Sequence, residues 1–219
     1  MKSKTKQLVC GVGINDADYT TQVFQYMGRL NGKILSKKLW TCPYYERWRS
    51  LLSRCYSYTR QKLYLTYSDC FVCDEWLTFS NFKAWMDTQD WEGKQLDKDI
   101  LFHGNRIYSP ETCVFITREV NVFITERTAA RGQYLIGVSW KEKNGMFQAN
   151  VKNPFTKKKE YLGLFETESQ AHNAWLNRKL ELAKLLAVKQ NDPRVAKALI
   201  ERYENYGKLN TKSQIGEGQ

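Results

Sequence analysis

Residues 96–121, LDKDILFHGNRIYSPETCVFITREVN, are the stretch on which the reading of this chain turns. Asp97 and Asp99 close a short apolar run, and a polar loop holding Gly104-Asn105 follows. Next comes the β-prone run CVFIT, then a segment whose fourth residue is Asn121. The order is strand, loop, strand and helix. Such a unit can hold a divalent metal between the end of the first strand and the helix, because carboxylate and amide oxygens are hard ligands.

Upstream, QVFQYM and KILSKKLW flank Arg29-Leu30-Asn31-Gly32, and Asn-Gly between apolar runs predicts a hairpin over Gln22–Trp40. Pro43 then opens YYERWRSLLSRCY, where Tyr44, Trp48, Leu51, Leu52 and Cys55 recur at helical spacing. A second helix is expected at FSNFKAWMD, capped by Ser80, with Phe82, Trp85 and Met86 inward.

Downstream, residues 127–133, RTAARGQ, have the small and basic composition of a linker. YLIGVSW, MFQANVK and KKEYLGLF read as three strands, separated by turns at Lys143-Asn144-Gly145 and Asn153-Pro154. SQAHNAWLNRKLELAKLLAV reads as one amphipathic helix with Ala171, Ala174, Trp175, Leu182, Leu185 and Leu186 on its buried stripe. A last helix runs from Pro193 to about Tyr206, before the polar tail KLNTKSQIGEGQ. The expected class is therefore α+β. A first region, 1–126, carries the finger at 94–126; a sheet-and-helix module follows at 134–190 and a C-terminal helix and tail at 191–219.

Composition narrows the partners. The 219 residues carry a net charge of +11, divided as +4 over 1–130 and +7 over 131–219. So basic a chain is expected to meet a polyanion, nucleic acid ahead of membrane. No apolar run reaches the length of a membrane span, and the start, MKSKTKQLVCGVG, lacks the apolar core of a signal peptide. Six cysteines without such a signal suggest a reducing compartment, so a cytoplasmic location is expected. Cys70-x2-Cys73 is one candidate ligand pair, and Cys55 and Cys113 could complete a four-cysteine Zn2+ site; packing explains the same cysteines equally well.

Residues 134–180 resemble the ethylene-response-factor type of DNA-binding domain. The resemblance is carried by Gly137-Val138, Gly145 through Ala149, Tyr161-Leu162-Gly163-Leu164-Phe165, Thr167, Ala171 and Ala174. It implies a sheet laid in the major groove with a helix behind. Trp140, Lys141, Lys143, Gln148, Asn150, Lys152 and Tyr161 are then expected on the free face, and Lys157, Lys158 and Lys159 at phosphates. That family has arginines on its first two strands; here stand Ser139, Asn150 and Lys152, so guanine contacts by arginine are not carried over.

Trp48, Arg54-Cys55-Tyr56, VCDEWLTFSNFKAW, LDKDI, Gly104-Asn105, Tyr108 through Cys113 and Asn121 resemble phage HNH endonucleases of the His-Me finger class, homing type. Proteins of that kind often join a finger to a separate DNA-binding module. The resemblance implies hydrolysis of phosphodiesters in double-stranded DNA with one Mg2+ or Mn2+, in the host cell of a phage or mobile element. Asp97 and Asn121 match the metal ligands, and Asn105 the asparagine that braces the loop. Lys98 stands where the family has its histidine base. A lysine ammonium donates protons at neutral pH, so it suits charge stabilisation better than water activation. His103, in the loop, is the nearby imidazole that could substitute. Two functions follow: a DNA endonuclease, or a catalytically degenerate DNA-binding protein acting as repressor or accessory or inhibitor factor. A factor that binds only host protein is the third class.

Overall fold

The computed structural model describes residues 8–64, 69–125 and 133–206. The expected linker, save Gln133, and the polar tail lie outside them. The class is α+β, with small sheets along the chain and a three-stranded antiparallel sheet followed by helices near its C-terminus. Two compact units emerge, and neither is continuous in sequence. One comprises 1–92 and 104–115, the other 93–103 and 116–219.

The first unit begins with β1 (Gln22–Leu30) and β2 (Lys33–Thr41), an antiparallel pair closed by Asn31 and Gly32. Both turn residues have positive φ, 49° and 76°, as a type I′ turn requires. The unit's core gathers on α1 (Pro43–Tyr56), which α2 (Tyr58–Leu63) follows. Trp48, Leu51, Leu52 and Cys55 are buried as the periodicity predicts, but the first inward aromatic is Tyr45. Tyr44, one position earlier, lies edge-on to Trp91 at 5.2 Å instead. The Trp48 indole donates to the Trp76 carbonyl at 2.7 Å. β3 (Phe71–Val72) pairs in parallel with β5 (Ile107–Tyr108), so the second half of the finger loop is anchored in this unit.

Next along the first unit comes α3 (Phe79–Asp87), which buries Phe79, Phe82 and Met86. Trp85 is half-buried and stacks on Phe115 at 5.6 Å. Ser80 is not the cap of α3. It lies inside the helix, and Asp16 accepts both its backbone N–H at 2.9 Å and its hydroxyl at 2.6 Å. An aspartate 64 residues away thus supplies the negative charge a helix N-terminus favours.

The second unit holds β4 (Gln95–Asp97), which pairs with β6 (Val114–Ile116); Ile116 leads from there to α4 (Arg118–Ile124). Thr117 caps α4 by accepting the Val120 N–H. β7 (Val138–Lys141), β8 (Met146–Lys152) and β9 (Lys159–Phe165) form the three-stranded sheet in that order. The sheet packs on α5 (Glu168–Ala187), whose N-terminus carries a complete capping box of Thr167 and Gln170. Ala149 and Val151 meet Ala171, Trp175 and Leu182 in the buried layer, whereas Leu185 is exposed. Gly137 has φ +83°, and a Cβ there would stand 2.1 Å from the Trp175 ring. Only glycine lets the backbone take that bend against the indole.

Packing in this unit does not divide at 127–133. α6 (Pro193–Glu204) lies on α5, and Tyr203 meets Phe123 of α4 at 5.4 Å. The Lys179 ammonium donates to the Phe123 carbonyl at 2.6 Å, and Arg202 donates to that of Ile124 at 3.3 Å. A helix end leaves carbonyls unsatisfied and favours positive charge, so these two cations fix α4 to the helices that follow it. The finger helix and the sheet module therefore form one body.

Candidate functional site

Within the second unit, β4 and α4 bring the expected metal ligands towards one another through a residue the sequence reading passed over. Asn121 Nδ2 donates to Gln95 Oε1 at 2.5 Å. Gln95 and Asp97 are two apart on a strand and so share a face, which places Asn121 over the same side as Asp97. Gln95 was detectable as a polar residue at i−2 from the aspartate. The partner across 26 residues was not.

Asp97 is half-buried and does local work. Its Oδ1 accepts the backbone N–H of Asp99 at 2.9 Å and of Ile100 at 2.7 Å, which turns the chain out of β4. Burial pushes its carboxyl above the ordinary carboxylate range, against those two N–H donors. Asp97 and Asn121 are the residues that would hold a divalent metal here. Two such oxygen ligands suit Mg2+, which keeps several of its waters. When bound, that ion would stabilise charge building on a phosphate.

The expected base positions look different. Lys98 is 7% exposed, and its ammonium donates to Asp99 at 2.7 Å. His103 is exposed, and its Nδ1 stands 3.2 Å from Arg202 Nη1. A guanidinium can only donate, so Nδ1 is the acceptor in this contact. Asn105, in the first unit, closes its own loop: it donates to the Ile107 carbonyl at 2.7 Å and accepts the Ile107 N–H at 3.1 Å.

Among the described residues, no three His, Cys, Asp or Glu side chains come together as a metal cluster. Cys55, Cys70, Cys73 and Cys113 are therefore not gathered into one thiolate site. Cys55, Cys70 and Cys113 are buried, and burial pushes the Cys73 thiol up.

The sheet's register sorts its expected DNA residues. Residues directly opposite in an antiparallel pair share a face. Val138 lies opposite Ala149 and Ser139 opposite Gln148, so Ser139, Lys141, Gln148, Asn150 and Lys152 point away from α5. Tyr161 opposite Asn150 and Lys159 opposite Lys152 join them. Trp140 does not. It pairs with Phe147 on the α5 side, edge-on at 4.8 Å, and is 38% exposed only because the strand ends there. Trp140 and Lys141 are adjacent on one strand and cannot share a face. Lys143 lies in the turn between β7 and β8, and Lys157 and Lys158 lie in the turn before β9.

Charge on the free face is one-sided. The three strands contain a single acidic residue, Glu160, and it faces α5, where Arg178 donates to it at 2.9 and 3.3 Å. Lys152 and Lys159 stand directly opposite one another across β8 and β9. Like charges in that position destabilise a sheet unless an anion lies over them. Gln148 Nε2 donates to Asn150 Oδ1 at 2.9 Å, which orders two amides side by side. Beside the sheet, a cleft of about 1090 Å³ is bounded by α4 and by β7 and β8, with Arg118, Lys152, Lys157, Lys159 and Lys179 on its walls against Glu119 alone.

Comparison of the chain with family models, with curated proteins and with solved structures gave no match. Among the described residues, no helix is long and apolar enough to cross a membrane.

Proposed function

We propose that the chain binds double-stranded DNA through the free face of the β7–β8–β9 sheet. The observation that carries this reading is the opposed pair Lys152 and Lys159 on a face without an acidic residue. A folded sheet keeps such a pair at a cost, and phosphates would remove that cost. Gln148 and Asn150, held side by side between the lysines, are the side chains whose amides can pair with the N6 and N7 of adenine. Lys157 and Lys158 would contact the backbone from the turn.

A second reading, metal-dependent cleavage of the bound duplex in the manner of an HNH endonuclease, is favoured by one observation: Asn121 is held over the face of β4 that ends in Asp97. Lys98 and His103 are the weak part of that reading, one an ammonium on Asp99 and the other hydrogen-bonded to Arg202. The binding reading therefore stands first.

Fluorescence anisotropy with a labelled 30-base-pair duplex tests it, with affinity measured against salt. Saturable binding that weakens steeply with salt is expected. An affinity unchanged in the Lys152→Glu, Lys159→Glu double variant would overturn the sheet as the interface. Supercoiled plasmid with Mg2+ or Mn2+ tests the second reading. Nicking that disappears in Asp97→Ala, with DNA binding retained, would place cleavage ahead of simple binding.

A further inference from the structure

We infer that the β1–β2 hairpin is a second DNA-contacting element, a β-ribbon that enters a groove of the same duplex; this rests on the DNA-binding reading above. The hairpin carries Arg29, Lys33, Lys37 and Lys38 and no acidic residue, a net +4. That equals the whole net charge of residues 1–130, so the rest of that region is electrically balanced. The charge is concentrated on one projecting element rather than spread as a solvating coat.

Its apolar residues follow a pattern that a protein core would not have. Phe24, Tyr26, Leu30, Ile34, Leu39 and Trp40 are all exposed, Tyr26 to 65%. Yet Lys38 sits opposite Phe24, Arg29 opposite Ile34, Lys33 opposite Leu30 and Lys37 opposite Gln25. Each face thus interleaves cations with aromatic or aliphatic groups, and neither offers a continuous apolar surface to a second copy of the chain. Cations suit phosphates, while apolar and aromatic side chains suit thymine methyls and sugar edges. Lys38 pairs with Glu46 at 3.7 Å on α1; among the described residues Arg29, Lys33 and Lys37 form no ion pair, and all three are exposed.

Dimensions agree. Each strand has nine residues, so the ribbon is roughly 30 Å long. Two strands about 4.8 Å apart fit a major groove about 12 Å wide. The tight Asn31-Gly32 turn keeps the leading end narrow. Among the described residues the pair forms a sheet of only two strands. Two-stranded ribbons are marginal alone, so a groove that orders one adds to its stability.

The full chain with Arg29→Ala, Lys33→Ala and Lys37→Ala tests this on the same labelled duplex. Affinity is expected to fall about tenfold and the salt slope to drop by about two, with the melting temperature unchanged. A benzophenone amino acid at position 36 in the otherwise unaltered chain should cross-link to DNA on illumination. Unchanged affinity in the triple variant, or cross-links to a second protein chain with a mass shift in light scattering, would overturn the inference while leaving the sheet reading intact. Failure of the unaltered chain to bind DNA would overturn both.

Discussion

Two antiparallel elements of this chain present lysines to solvent, and they are built in opposite ways. The β7–β8–β9 sheet has a helix behind it: Ala149 and Val151 are sealed against α5, and Glu160 is tied to Arg178 on that side. Its polar face is therefore held rigid by an apolar one. Among the described residues no helix packs behind the β1–β2 hairpin, and its apolar side chains are spread over both faces. Backing fixes register and removes choice, since a one-residue slip would turn Ala149 and Val151 outward. A sheet of that sort can hold Gln148 and Asn150 in a defined arrangement for bases. An unbacked ribbon can adjust, which suits contacts that follow shape and charge.

The sharpest way to break this contrast is at Gly137. A valine there meets Trp175 and must adopt an unfavourable positive φ, so a loss of about 3 kcal/mol or more is expected. Chemical denaturation would measure it, and a loss under 1 kcal/mol would mean that the sheet is less dependent on its helix than described. Next in size, reversing Lys152 and Lys159 to glutamate should weaken duplex binding about thirtyfold, or about 2 kcal/mol, with stability close to that of the parent, since one opposed like-charge pair replaces another. A variant that instead unfolds would show those lysines to be structural.

Gly32→Ala sharpens the other half. Its φ of +76° makes alanine cost roughly 1 kcal/mol locally. Because the hairpin buries little, the main melting transition should barely move while amide exchange in residues 22–41 speeds up. A fall of many degrees would mean that the ribbon is part of a core. The smallest effect concerns pH. The Arg178 guanidinium, with Asn153, holds the Glu160 carboxyl below the ordinary glutamate value. The sign follows: that contribution is present above the unfolded value and is lost as pH falls through the folded one. Melting temperature should therefore drop between pH 5 and pH 3 slightly more in the parent than in Glu160→Gln, by well under about 1 kcal/mol.

Local periodicity made the helices, the hairpin and the three strands legible, because apolar spacing and turn chemistry act over a few residues. Where the sequence reading erred, a neighbour from elsewhere had decided the matter. Tyr45 rather than Tyr44 faces inward, beside Phe79 at 5.5 Å. Ser80 looked like a cap until Asp16 supplied one. Leu185 fits an apolar stripe, yet it is exposed while Leu182 and Leu186 beside it are buried. Trp140 was placed with the lysines by residue type, although strand alternation already excluded it. For the finger, the order of strand, loop, strand and helix was legible, but the hydrogen bond from Asn121 to Gln95 was not. The hydrogen bond between Arg202 and His103 joins residues 99 apart, and no local pattern could announce it.

The two compact units exchange the chain three times, at 92/93, 103/104 and 115/116. Dissection of this protein is constrained accordingly. Neither unit can be expressed as one continuous segment, and a clean protease nick after residue 126 would leave α4 bound to the fragment downstream of the cut through Lys179, Arg202 and Tyr203. Because the two units alternate along the chain, circular permutation does not separate them either; to study one half alone, its two segments must be joined by a new linker.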